Sequence, residues 1–241
     1  MTSMSLPDRA FAAFLFDMDG TILTSIKAAE RVWGRWAQGH GLDVAAFLPT
    51  IHGKRTEETV RGVNLPGVDP VAEAAWITAA EIEDVAGVEA IRGVADFLAS
   101  LPVERWAIVT SAPRALALAR IAAAGLPLPK VLVAAEDVER GKPAPDPFLL
   151  GAKLLGVNAG DCLVFEDTLA GLASAAAAGM RSVVVTVTHG HPLETDVVGV
   201  VDYAELRSVR TAEGLLRVVG TNAHPTLRLQ ASINRGGRRG D

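Results

Sequence analysis

The sequence predicts an α/β fold: a doubly wound parallel sheet, covered by helices on both faces, with a separate helical unit inserted after the first strand. Three observations predict it. Short apolar runs of buried-strand length recur at residues 12–16, 106–109, 131–135, 163–165 and 182–187. Helical patterns separate the later runs, and alternation of strand and helix builds a parallel sheet. The stretch between the first and second runs breaks this rhythm and reads mostly as helix.

Taken in order, the first run ends in Asp17. Residues 25–89 then read as an inserted helical domain. Ile26, Ala29, Trp33, Trp36 and Ala37 share one helical face. A second helix starts near residue 56 and a third covers 71–85. Trp33, Trp36 and Trp76 are expected in the core of this insert rather than as ligand platforms. Residues 91–101 re-enter the main unit as a helix. The run 106–109 ends in Thr110, and an Ala/Leu-rich helix over 114–124 stops at Gly125, a natural residue just past a helix end. The run 131–135 ends in Glu136-Asp137. Asp146-Pro147 reads as a helix cap followed by the first helical position, opening a helix that Gly156 ends. The run 163–165 ends in Glu166-Asp167, the helix 169–178 stops at Gly179, and the run 182–187 ends near Thr188. The division is therefore a core of residues 1–24 and 90–206, an insert of 25–89, and a weakly patterned tail of 207–241. The Gly/Arg-rich end, 235–241, is expected to be disordered.

Size and composition agree with this plan. A chain of 241 residues, 49% hydrophobic and 21% charged, can bury one sizeable core with a smaller insert. The net charge is −5. Seven arginines against three acids over 205–241 give that end +4 and leave −9 for the rest. An acidic body gives no drive toward nucleic acid or an anionic membrane surface. The tail's single Arg-Gly-Gly and Arg-Gly-Asp are too short to support nucleic-acid or adhesion roles. One cysteine, Cys162, permits no internal disulfide, and its apolar neighbours suit a buried thiol. No apolar stretch is long enough to span a bilayer, and residues 10–16 do not look like a secretion signal. The cytoplasm is the expected location, and a monomer or weak homo-oligomer the expected state.

Sheets of this kind bind ligands at the carboxyl ends of their strands. The polar residues cluster there. Asp17 and Asp19, two apart on extended chain, project the same way. Two close carboxylates imply a cation or a shared proton, unless they are simply a solvated strand end. Thr110 and Ser111 precede a helix and could bind a phosphate oxygen or merely cap that helix. Lys142, in Gly141-Lys142-Pro143-Ala144-Pro145-Asp146, sits on a proline-stiffened loop that could aim a cation at the strand ends. Glu166 and Asp167 are hard oxygen donors of the type Mg²⁺ prefers, or two solvated acids.

Four ordered motifs make the chain resemble the haloacid dehalogenase superfamily of aspartate-nucleophile phosphotransferases. Phe16-Asp17-Met18-Asp19-Gly20-Thr21 is similar to its first motif and Val109-Thr110-Ser111 to its second. Gly141-Lys142-Pro143 is similar to the third, and Phe165-Glu166-Asp167-Thr168 to the fourth. The resemblance implies a Rossmann-like core with a helical type-one cap. It also implies roles. Asp17 would be the nucleophile. Asp19 would protonate the leaving alcohol and then activate water. Asp17, the Asp19 backbone carbonyl, Asp167 and Glu166 would hold Mg²⁺. Thr110, Ser111 and Lys142 would bind the phosphoryl oxygens. Asp19 speaks against dehalogenase chemistry, because the superfamily's dehalogenases lack an acid there.

Ile51-His52-Gly53-Lys54-Arg55-Thr56 is similar to a cap segment of the branch with sugar phosphatases, 2-deoxyglucose-6-phosphatases and glycerol-phosphate phosphatases. It implies a small phosphorylated sugar or polyol as substrate, met by His52, Lys54, Arg55 and Thr56. These residues could equally form a solvated helix-start loop. A β-phosphoglucomutase reaction and, more distantly, a non-catalytic metabolite-binding module remain as alternatives.

Overall fold

The computed structural model describes residues 6–190 and 193–220. The chain opens with β1 (Ala13–Phe16) and β2 (Leu23–Thr24), followed by α1 (Ile26–Gly39), α2 (Val44–Phe47), α3 (Thr56–Val63) and α4 (Pro70–Glu83). Then come β3 (Glu89–Ala90), α5 (Val94–Ala99), β4 (Trp106–Val109), α6 (Arg114–Ala123), β5 (Val131–Val133) and α7 (Asp146–Leu155). The remaining elements are β6 (Cys162–Glu166), α8 (Leu169–Ala177), β7 (Arg181–Val185), β8 (Gly199–Val200), β9 (Leu206–Arg210) and β10 (Leu216–Gly220).

Six strands form a parallel sheet in the order β5-β4-β1-β6-β7-β8. The chain winds outward from β1 through β4 to β5, then returns to β6 and winds the other way. The reversal lies between β1 and β6, and a crevice opens there beyond the strand ends. Every residue of β1, β4 and β6 is buried, which is why each reads as an apolar run, with Glu166 at the end of β6 the one exception. Alternate residues feed opposite faces. Phe14, Phe16, Ile108 and Phe165 join the cluster on one face, and Leu15, Ala107, Val109 and Val164 the cluster on the other. Phe16 and Phe165 stack across the β1–β6 pair at 4.8 Å. Cys162 is fully buried, and burial pushes its thiol up to about 12, so it is inert.

Helices α1–α4 lie between β2 and β3. These short strands pair antiparallel, Leu23 opposite Ala90 and Thr24 opposite Glu89, so the chain departs and returns side by side. The helices share a third apolar cluster containing Trp33, Trp36, Phe47, Val60 and Ile77. Trp33 and Trp36 are in it as expected. Trp76 is a correction: it is 50% exposed. On α4 the inward stripe runs through Ile77 and Glu81, one turn apart, and Trp76 lies outside that stripe.

Two further expectations are corrected. Asp146 does not cap α7. It is the first helical residue, and Arg140 holds its carboxylate by two hydrogen bonds of 2.9 and 3.1 Å. The tail does not begin at 207: β9 and β10 form an antiparallel hairpin, and Leu216 and Val218 are buried in the main cluster. Leu216 also bridges Phe11 through two backbone hydrogen bonds of 2.7 Å, which ties the hairpin to the start of the chain. The alternation Leu216, Arg217, Val218 was the available signal. The Gly/Arg-rich stretch 235–241 lies outside the described residues. No helix among the described residues is long and apolar enough to cross a membrane.

Candidate active site

The site is built where β1, β4 and β6 end side by side. Register sets the level: Phe16 pairs with both Ile108 and Phe165, so Asp17, Val109 and Glu166 follow at one height. The Asp17 amide donates to the Phe165 carbonyl at 2.9 Å, which continues the pairing beyond the strand and fixes the Asp17 backbone.

Lys142 reaches this level from the loop after β5. Its Nζ donates to Asp17 Oδ1 at 2.5 Å, Glu166 Oε1 at 2.8 Å and the Val109 carbonyl at 3.1 Å. All three ammonium donors are thus used. Glu166 Oε2 accepts from the amides of Asp167 and Thr168 at 2.7 and 2.6 Å and from the Thr168 hydroxyl at 3.0 Å. Asp167 Oδ1 accepts from the Thr21 hydroxyl at 3.1 Å. Two glycines make room. A Cβ on Gly171 would lie 1.5 Å from Glu166 Oε1, and one on Gly20 would lie 1.9 Å from Asp167 Oδ2. Gly20 also takes φ +89, which side-chain-bearing residues rarely adopt.

Asp17, Glu166 and Asp167 each offer an oxygen, all within 4.8 Å of one another, and all three residues are buried. One ammonium faces this trianion. Burial pushes the Asp17 carboxyl up to about 7; Glu166 adds to the rise and Lys142 opposes it. Burial, then Glu166 and Asp17, raise Asp167 well above the usual carboxylate range. For Lys142, burial works against the charge, but the carboxylates of Asp17 and Glu166 outweigh it and hold its pKa above the ordinary value. The cluster is short of positive charge and supplies only hard oxygen donors. That is the donor set a small divalent cation fits.

Asp19 points elsewhere. Ser25 Oγ donates to its Oδ1 at 2.5 Å, and Arg120 Nη1 donates to its Oδ2 at 2.9 Å. Arg120 Nη2 donates to Glu81 Oε1 at 2.9 Å. The Asp19 side chain is therefore outside the acidic triad; any metal contact by Asp19 is left to its backbone. Arg120, Glu81 and Ser25 were missed by sequence reasoning. The available signal was an arginine on the stripe Leu116, Ala117, Arg120, Ile121, which is otherwise apolar and buried.

Thr110 and Ser111 line the cavity above Asp17 and Asp19. Thr110 does not cap α6: its Oγ1 accepts from the Ala112 amide at 3.0 Å, inside the turn, and α6 starts after Pro113 without a side-chain cap. From the insert, His52, Lys54 and Thr56 line the same cavity, together with Ser25, Trp33 and Glu81. The enclosed space is about 90 Å³. Burial pushes the His52 imidazole below its ordinary range, against the pull of Glu30 and Asp19. Arg55 is a correction. It turns away from the cavity and donates to the carbonyls of Ala135, Val138 and Glu139 at 2.9, 2.8 and 3.1 Å. Three converging carbonyls are a better match for its donor fork than an open cavity. Arg55 thus joins the insert to the loop that carries Lys142.

Residues 11–179 match the family of hydrolases described as haloacid dehalogenase-like. Hexitol phosphatase A of Escherichia coli (strain K12) is 41% identical over 188 residues, covering 76% of this chain and 87% of that protein. Glycerol-1-phosphate phosphohydrolase 2 of Saccharomyces cerevisiae is 31% identical over 191 residues, 73% of this chain and 75% of that protein. A mutant of CbbY from Rhodobacter sphaeroides, solved with xylulose-(1,5)bisphosphate, shares the fold. Its TM-score is 0.69 and its identity 24%, over 81% of this chain and 96% of that one.

Proposed function

The chain belongs to the haloacid dehalogenase-like hydrolases, and from that premise we propose that it is a Mg²⁺-dependent phosphatase of small polyol or sugar phosphates, acting through an aspartyl phosphate on Asp17. The observation that carries the reading is the division of labour between two carboxylates. Asp17 lies inside the acidic triad against Lys142, and Asp19, two residues on, faces the cavity from a different network.

The chemistry follows from that placement. Lys142, the Thr110 hydroxyl and Ser111 bind the non-bridging phosphoryl oxygens. An oxygen of Asp17 attacks phosphorus. The bond from phosphorus to the alcohol oxygen breaks, its electron pair stays on that oxygen, and Asp19 supplies the proton. Asp19, now a carboxylate, takes a proton from water as the water oxygen attacks the same phosphorus. The bond to Asp17 breaks, inorganic phosphate leaves, and both aspartates regain their starting states. Asp17, Glu166, Asp167 and the Asp19 backbone carbonyl would hold Mg²⁺. That ion supplies charge neutralisation for the phosphoryl oxygens and keeps the buried carboxylates ionised.

The substrate class is supported by the relatives, which include a hexitol phosphatase and a glycerol-1-phosphate phosphohydrolase. The polar lining that His52, Lys54 and Thr56 contribute suits hydroxyl groups. The test is phosphate release from hexitol, glycerol and hexose phosphates with and without Mg²⁺. Turnover of at least one, lost on chelation and reduced at least ~10³-fold in Asp17→Asn, is expected. No release from any of them would refute the reading. Conversion of glucose 1-phosphate to the 6-phosphate would replace it with a mutase.

A further inference from the structure

We propose that Arg120 and Glu81 are positioning residues that aim the Asp19 carboxylate at the leaving-group oxygen, so that Asp19 delivers its proton well only while α4 of the insert is seated on α6. The proposal rests on the phosphatase reading and deepens it. Arg120 stands on α6 and Glu81 on α4. They are 6% and 4% exposed, and their 2.9 Å ion pair is a buried contact between these two helices.

Packing does not call for this pair. Leu116, Ala117 and Ile121 on the same face of α6 are apolar, and a buried ion pair seldom stabilises more than an apolar pair of the same volume. What an apolar residue at 120 could not do is touch Asp19. The guanidinium is a rigid planar fork with donors only. One arm is held by Glu81 and the other meets Asp19 Oδ2. Oδ2 therefore faces a group that cannot accept a proton. Oδ1 accepts only from the neutral Ser25 hydroxyl, so Oδ1 is the oxygen left to turn to the leaving group. The insert thus reaches, through Glu81 of α4 and then Arg120, a carboxylate of the core 101 residues away in sequence from the arginine that holds it.

A leaving alkoxide needs a proton from Asp19, whereas p-nitrophenolate leaves without one. The value of kcat/KM reports the step in which the leaving group departs. The experiment measures it for glycerol 1-phosphate or a hexitol phosphate, and for p-nitrophenyl phosphate, in the full chain and in Arg120→Lys and Glu81→Gln. General acid catalysis contributes about 10²–10⁴-fold. The expected fall on the alkyl phosphate is accordingly ~30-fold or more, with the fall on the aryl phosphate at least about tenfold smaller. Asp19→Asn should show the same split, larger. Thermal melts accompany each variant. Glu81→Gln keeps the shape and an acceptor oxygen, so it decides the matter if Arg120→Lys does not fold. Equal falls on the two substrates, or none, overturn the proposal and leave the phosphatase reading standing. A wild-type chain inactive on both overturns both.

Discussion

Removing divalent metal should destabilise the protein, and the loss should grow as pH rises. Three buried carboxylates with oxygens within 4.8 Å face a single ammonium, that of Lys142. Without metal, Asp17 is pushed from 3.8 up to about 7. Between roughly pH 4 and 7 the folded chain keeps a proton that the unfolded chain releases. The raised pKa therefore contributes stability that is complete below pH 4 and lost as pH climbs through 7. Mg²⁺ acts in the opposite sense, because it favours the ionised form. Above pH 7 it displaces no proton from Asp17. Each unit below 7 weakens binding about tenfold, or about 1.4 kcal/mol. Free Mg²⁺ at a hundred times Kd stabilises by about 2.7 kcal/mol, and at ten times Kd by about 1.4 kcal/mol. A chain of this size gains about 2–4 °C in Tm per kcal/mol. The expected rise in Tm is then about 5–10 °C at pH 8 and, at the same Mg²⁺ concentration, about half that at pH 6. Thermal melts in MgCl₂ and in EDTA across this range are the assay. Asp17→Asn, which lacks one ligand and one of the two triad carboxyls that burial raises, should weaken the dependence. Equal Tm with and without Mg²⁺ at pH 8, or a shift that grows toward low pH, would refute the reasoning.

Other perturbations separate packing from chemistry. In Gly171→Ala the new Cβ, 1.5 Å from Glu166 Oε1, must displace that carboxylate, and a loss in kcat/KM of at least ~10²-fold is expected from steady-state kinetics. Arg55→Ala removes three hydrogen bonds to carbonyls and should lower stability by about 2 kcal/mol or more in urea titration; a raised KM with unchanged stability would instead mean that Arg55 touches substrate. Truncation after Leu206 removes Leu216 and Val218 from the core, each worth about 1.5–3 kcal/mol of burial, and should lower the urea midpoint sharply; an unchanged midpoint would mean the hairpin is dispensable.

What was legible in the sequence followed its local periodicities. The apolar runs of β1, β4 and β6 are continuous because both faces of those strands are covered, so their ends could be read, and with them Asp17, Thr110 and Glu166. The hairpin was harder, because only Leu206 of β9 and only Leu216 and Val218 of β10 are buried, and arginines interrupt both strands. Trp76 misled because its bulk suggested core, whereas the burial stripe of α4 was set by Ile77 and Glu81. Arg55 misled for a different reason. Its neighbours His52, Lys54 and Thr56 do face the cavity, but a residue just before a helix start can turn its side chain away from those on either side.

Arg120 was the least legible, and the reason is physical. Periodicity reports which face of α6 is buried, and Leu116, Ala117, Arg120 and Ile121 satisfy it together. It does not report what lies across that face. An arginine there must find acceptors, because a buried guanidinium without them would cost several kcal/mol. Those acceptors are Asp19, from the loop after β1, and Glu81, from the insert. A partner supplied by a distant segment leaves no mark near residue 120. The mark it does leave is an anomaly, a charged residue where the pattern asks for an apolar one. Local rules fail most informatively at sites where chemistry has displaced packing. The break in the α6 stripe and the isolation of Asp19 from the acidic triad are one feature seen from two ends of the chain: the carboxylate proposed to move the proton is held apart from the carboxylates proposed to hold the metal.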